Sequence, residues 1–201
     1  TWDLPRLCYN EGNVKGYRYL YDLVYQYISG NAIYSENILS SAELSLKART
    51  ILNQDTVNAY DLSVLTDGLL AADTKWGSGK LLQINGNNAA TSPYELIAKL
   101  AETTAVTELS TSFFDWTSAG VVPPYAVDYF ISADGENWLQ VGRTSAEDNY
   151  TLAIADGVAT KYVKARIYCS YNTAGKAPHA WLGIAEFSAK GTATTRKVEI
   201  P

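Results

Sequence analysis

From Asn37 onward the chain alternates. Ala42, Leu44, Leu46 and Ala48 are apolar, and Glu43, Ser45, Lys47 and Arg49 between them are polar. A period of two marks a strand with one buried face. Further runs rich in β-branched and aromatic residues predict strands over 80–85, 94–100, 105–114, 125–132, 138–143, 150–155, 161–169 and 182–189. Gly, Asp, Asn and Pro separate them. Ser132-Ala133-Asp134-Gly135 is the clearest turn, because Asp-Gly readily takes the positive φ of a tight hairpin. Short strands at this spacing predict an all-β sandwich or barrel.

The first 36 residues differ. Tyr17, Leu20, Tyr21, Val24, Tyr27 and Ile28 fall at helical spacing, with Gly16 before them and Gly30-Asn31 as a stop. Odd positions from Tyr17 to Tyr27 are also all apolar, which leaves a strand as the alternative. Leu20 and Val24 break that alternation and favour the helix. The expected organisation is a helical N-terminal extension, or the tail of a preceding domain, over 1–36. A sandwich follows over 37–195, and a linker over 196–201.

Composition narrows the function classes. The 201 residues are 47% hydrophobic and 18% charged, enough apolar material for one packed domain and too much for a disordered chain. No run approaches eighteen apolar residues, so no membrane-spanning helix is expected. No signal-peptide pattern opens at Thr1, and the chain is expected to be a piece of something larger. The formal charge is −5 and the 16 basic residues are scattered, which argues against nucleic acid as a partner. Cys8 and Cys169 are too few for a disulfide framework; a pair across the fold and a buried free thiol both stay open. Fifteen Tyr and five Trp offer rings that stack on sugar faces, although strand faces and sandwich cores also consume aromatics.

Catalytic patterns are missing. Glycoside hydrolysis needs two facing carboxyls, and Asp115, Asp128, Asp134, Glu136, Glu147 and Asp148 fall in turns and strand faces without visible pairing. There is no Gly-x-Ser-x-Gly elbow or phosphate loop. A Ser-His-Asp arrangement would rest on His179, the one histidine. The chain reads as a non-enzyme.

Several segments resemble, in order, the discoidin-like (coagulation factor 5/8 type C) domains that include the bacterial family 32 carbohydrate-binding modules. They are Leu65-Thr66-Asp67-Gly68, Asp73-Thr74-Lys75-Trp76, Tyr94–Leu100, Gly120–Pro124, Val127–Trp138, Tyr162-Val163-Lys164-Ala165-Arg166-Ile167 and Trp181–Gly191. Lys99-Leu100-Ala101 departs from the Asp-Leu-Gly that usually ends the family's strand matching Tyr94–Leu100. The resemblance implies a discoidin-like jelly-roll β-sandwich of about three quarters of the chain. It also implies a secreted or cell-surface glycan-binding module, monomeric and joined to other modules of a larger bacterial protein. A structural or protein-interaction spacer without a sugar site is the alternative. Residues 1–36 are not covered.

The resemblance also supplies candidate sites. Family members often hold one structural calcium, and the matching positions are Asp67, Thr74, Ala185 through its carbonyl, and Glu186, an oxygen set suited to that ion. Solvated carboxylates and a capped Asp67-Gly68 turn are the plainer reading. The sugar site of the family lies in loops at one end, and galactose binders carry an Arg and an Asn in the loop matching Asp115–Gly120. Neither is present, and the family His near Trp76 is also missing. The loop groups that remain are Tyr60, Asp115, Trp116, Tyr171, Asn172 and His179. Trp116 would stack on a pyranose while Asp115 accepts from hydroxyls, or Trp116 covers the core edge. Trp76, Trp138 and Trp181 fall at positions where the family more often uses tryptophan structurally.

Overall fold

In a computed structural model of the protein, the described residues are 33–34, 37–48, 61–89, 92–171 and 179–193. The expected helix over 17–28, Cys8, Tyr60 and Asn172 lie outside them. What is described of the first 36 residues is strand and not helix. Ile33–Tyr34 (β1) runs antiparallel to Thr192 and Gly191 at the end of the last strand. The remaining strands are Glu43–Ala48 (β2), Leu82–Ile84 (β3), Tyr94–Phe114 (β4), Ala126–Ser132 (β5), Leu139–Thr144 (β6), Thr151–Tyr168 (β7) and Leu182–Ala193 (β8). One turn of α-helix, Gly86–Ala89 (α1), and short 3₁₀ turns connect them. No helix among the described residues is long and apolar enough to cross a membrane.

All ladders are antiparallel. The order is β1-β8-β4-β7-β5-β6, with β2 added beside β4 and β3 beside β8. Two pairs of expected strands prove continuous: 94–100 with 105–114 is β4, and 150–155 with 161–169 is β7. The polar stretches between them, Glu102-Thr103-Thr104 and Asp156-Gly157, read as breaks because they interrupt the apolar alternation with polar residues and a glycine. The strands nonetheless run on through them, with breaks in the ladder between Lys99 and Thr104 and between Val106 and Glu108. Such bulges bend and twist a strand.

These bends close the sandwich. The first part of β4 pairs with β2 and the end of β7, and its second part pairs with β8 and the start of β7. One sheet therefore folds over itself, and the two halves face each other across a single core. Leu96, Ala98, Val163, Ala165, Ile167, Val127, Tyr129 and Ile131 meet Leu109, Phe113, Phe187, Ile184 and Leu182 there. Tyr129 carries a hydroxyl into this core and satisfies it twice, against Thr111 Oγ1 at 2.8 Å and by donating to the Tyr150 carbonyl at 2.6 Å. Cys169 is a buried free thiol at the edge of the cluster, and burial pushes its pKa up to about 12.

The outer face of the first half is charged and well paired. Glu95, Arg166, Asp128 and Arg143 stand directly opposite one another on four adjacent strands, so their charges alternate across the sheet. Arg143 grips Asp128 with Nε and a terminal nitrogen at 2.6 and 2.9 Å, and Arg166 reaches Glu95 at 2.7 Å. Opposite charges in cross-strand register attract without leaving a buried charge unmatched. Lys164 is held over the Phe130 and Trp138 rings at 4.7 and 4.2 Å. Trp138 thus has a packing role, far in the topology from the loops discussed next.

Candidate functional site

The site begins with the pairing of β4 and β8. Ser110 stands opposite Ser188 and Ser112 opposite Glu186, but Phe113 stands opposite Ile184 and Phe114 opposite Gly183. Ala185 is the extra residue of a bulge, and it re-aims the residues beyond it. On the outward face, Ser110 and Ser188 share a hydrogen bond of 2.6 Å. Phe114 follows two residues beyond Ser112 on that face, with Gly183 across from it. The glycine leaves room for an indole: a Cβ there would come within 3.1 Å of the Trp76 ring. Trp76 packs on Phe114 at 6.1 Å between centroids and meets Trp181 edge-on at 5.7 Å.

Past Phe114 the chain turns and comes back. Trp116 and Val121 exchange both backbone hydrogen bonds, at 2.9 and 3.2 Å, around a tight turn that Gly120 closes with φ of 83°. Val121 also bridges Trp181 in parallel, through Trp181 N–H to the Gly120 carbonyl and Val122 N–H to the Trp181 carbonyl. Bridge partners share a face, so Trp116 and Trp181 flank Val121 on the same side. Val121 is buried beneath them, while Trp116 and Trp181 are 49% and 36% exposed.

The same patch takes in Tyr171 and His179. Their backbones form an antiparallel bridge, and their rings stack at 5.4 Å and 23°. His179 lies two residues before Trp181 and shares its side of the strand, since Ala180 between them is buried. Ala180 donates to the Ser170 carbonyl, and the Ser170 hydroxyl donates to the Pro123 carbonyl at 2.6 Å. Tyr171 is the most open of these rings at 72% exposure.

Three of the expected sugar contacts are thus brought to one end: Trp116, Tyr171 and His179. Asp115 also lies there but is engaged, because its Oδ1 accepts from Thr117 N–H at 3.0 Å and Thr117 Oγ1 at 2.6 Å. That capping holds the turn which presents Trp116. Trp181 and Trp76 complete the aromatic surface. Their signal in the sequence is the spacing Trp181-x-Gly183 and Phe114-x-Trp116, which places large rings beside a residue with no side chain. The surface is a platform. A groove of about 460 Å³ along Leu70, Ser110, Ser112, Ser188 and Glu186 touches none of Trp116, Tyr171 or His179.

Of the calcium candidates, Asp67 and Glu186 lie close enough for their charges to interact. Gly68 N–H donates to Glu186 Oε2 at 3.1 Å, and Ala71 N–H donates to Ser112 Oγ at 2.9 Å, opposite Glu186. Both the 67–68 and 71–74 turns therefore lie against the bulged end of β8. Glu186 is only 3% exposed; burial raises its pKa, the Asp67 charge adds to that, and hydrogen bonds from Asn37 and Gly68 oppose it. Asn37 Nδ2 reaches Glu186 Oε1 at 2.6 Å. Asp67 turns toward Leu69 N–H at 3.0 Å and Lys80 Nζ at 3.6 Å, and the Thr74 hydroxyl donates to the Ala71 carbonyl. Two carboxylates crowd one another here, one of them buried, beside neutral oxygens. That donor chemistry fits a hard divalent cation. No group of three or more His, Cys, Asp or Glu side chains occurs among the described residues.

No protein-family model matches the sequence. No curated protein matches it either. Solved structures match over most of the chain. The family 32 CBM from C. perfringens NanJ in complex with galactose superposes with a TM-score of 0.52 and 14% identity, over 77% of this chain and 98% of that one. A mutant lectin binding domain of Lectinolysin complexed with Lewis b gives 0.51 and 16%, over 80% and 99%. A fucolectin from the serum of Morone saxatilis (striped bass) gives 0.50 and 16%; this chain is matched over 78% and spans about half, 48%, of the fucolectin. At these identities the likeness is one of fold, and the chain has the discoidin-like β-sandwich.

The α1 turn braces the platform from the side. A Cβ on Gly86 would sit 2.6 Å from the His179 carbonyl oxygen and 3.3 Å from the Trp181 ring. The nearer atom is backbone and has little freedom to give way. Gly86→Ala is expected to displace residues 179–181, cost about 1–3 kcal/mol in denaturant melts and alter the tryptophan near-UV signal. Unchanged stability and spectrum would show that α1 does not support the platform.

Proposed function

We propose that this chain is a non-catalytic carbohydrate-binding module of a larger secreted or cell-surface protein. The observation that carries the reading is the exposed aromatic platform at one end, with Trp116 and Trp181 on either side of Val121 and Tyr171 stacked on His179 beside them. Sugar C–H groups meet the electron-rich faces of such rings, and the ring edges leave hydroxyls free to bind water or nearby polar groups. The solved relatives named above include a galactose complex and a Lewis b complex, which favours a glycan over a protein partner. The titratable groups at the platform support binding over catalysis: Asp115 is tied to Thr117 and the His179 ring is stacked. Affinity for a single sugar site is modest, so linkage to other modules raises the effective affinity on a polymeric surface.

In the same reading Asp67, Thr74, the Ala185 carbonyl and Glu186 hold one calcium ion. Its charge offsets the crowded Asp67 and Glu186 carboxylates and ties the 67–74 segment to β8. Its role is structural, since no atom of the platform belongs to the set.

Two measurements check these statements. On a broad glycan and polysaccharide array, the purified protein is expected to give a specific signal that falls about tenfold or more in Trp116→Ala, which at 49% exposure leaves the fold intact. Silence from folded wild-type protein would favour a spacer or protein-docking module. Thermal melts in calcium chloride and in chelator address the ion. Calcium at about 100 times its Kd adds about 2.7 kcal/mol, a rise in Tm on the order of 5–10 °C, absent in Glu186→Gln. Equal melting in calcium and chelator would leave the Asn37–Glu186–Gly68 hydrogen bonds as the whole of that tie.

A further inference from the structure

The platform is longer than one sugar ring. Trp116, Val121, Trp181 and Tyr171 belong to four neighbouring backbone segments joined by bridges. With about 4.8 Å between neighbouring strands and about 3.3 Å per residue along them, three lateral steps and two residues separate Trp116 from Tyr171, a diagonal of roughly 16 Å. Three open rings lie along it, at Trp116, Trp181 and Tyr171, with His179 stacked beneath the last. Trp76 and Phe114 support the middle of the row from the outer face of β4 and β8. Trp181 is thereby fixed in orientation before any ligand arrives, which lowers the ordering cost of binding.

Two further features narrow the ligand. Among the described residues, the groove beside β4 and β8 does not reach the platform, whose rings at Trp116, Trp181 and Tyr171 are open to solvent. A terminal sugar held alone calls for a concave site with hydroxyl contacts on several sides, whereas a row of open rings suits an extended chain. Among the described residues no Lys or Arg stacks on the rings of the row, and the chain carries a formal charge of −5. Polyanionic glycans would meet repulsion at long range from that net charge.

Resting on the glycan-binding reading above, we infer that the platform binds an internal stretch of a neutral polysaccharide, several sugar units lying end to end across Trp116, Trp181 and Tyr171. The Trp116–Trp181 pair is the principal subsite and Tyr171 a distal one that only a longer chain reaches.

Calorimetry with oligosaccharide ladders of about one to six units tests this, using cello-, xylo-, laminari-, manno- and chito-oligosaccharides and an oligogalacturonate ladder as the acidic counterpart. On the neutral ladder that binds, affinity is expected to rise about tenfold (about 1.4 kcal/mol) from one to four units and then level off. Tyr171→Ala is expected to remove most of that gain and leave the shortest ligand within about twofold. Trp116→Ala weakens every length, and Tyr125→Ala, exposed on the other sheet half against Tyr168, changes none. A monosaccharide that binds as tightly as the tetramer, a Tyr171→Ala variant that keeps the full length dependence, or preference for oligogalacturonate would overturn the inference while glycan binding stood. Silence of folded protein on every ladder would take the glycan reading down with it.

Discussion

The antiparallel pairing of β4 with β8 is the constraint from which both ends of the candidate machinery hang. It sets Ser112 against Glu186 and, across the bulge at Ala185, Phe114 against Gly183. One extra residue in β8 does two things there. It turns the buried Glu186 carboxylate toward Asn37 and the Gly68 N–H. It also restores the outward face in time for Gly183 to sit under Trp76 and for Trp181 to meet Val121. Without the bulge, the side chains beyond it would exchange faces and the rings would point into the core.

The rings are positioned by backbone, which is why the platform is stiff. Trp116 sits in a turn closed at both ends by hydrogen bonds to Val121, and Asp115 caps the same turn from its side chain. Trp181 is held from Gly120 and Val122, and Tyr171 by its bridge to His179. Exposed aromatic surface held this firmly loses little freedom on binding. Below it, the buried Tyr129 hydroxyl is paired within the Thr111–Tyr129–Tyr150 chain. The far sheet half meets solvent through an alternating row of charges, so the two faces of the sandwich have different chemistry.

Much of this was legible in the sequence where local chemistry decides the outcome. The alternation over 42–48 is β2. The Asp134 turn is held as its residues suggest, with Oδ1 accepting from both Glu136 and Asn137 N–H at 2.8 Å. Trp116, Tyr171 and His179 stood out as loop residues able to meet a sugar. What was not legible depends on pairing between distant segments. Glu102-Thr103-Thr104 and Asp156-Gly157 carry no burial signal, so continuous strands read as broken ones. Trp181 joins the platform only because Val121, sixty residues earlier in the chain, lies beside it. Nothing local in Ile184-Ala185-Glu186 announces a bulge.

The central claim is that the Trp116–Trp181 platform is where ligand sits. Its most direct test follows the tryptophan indole N–H signals by NMR during titration with an oligosaccharide that the protein binds. The account predicts that the Trp116 and Trp181 signals move together and saturate, while Trp138, packed over Lys164 on the other sheet half, stays where it is. Saturable binding that leaves Trp116 and Trp181 unmoved, or that shifts Trp138 instead, would contradict it.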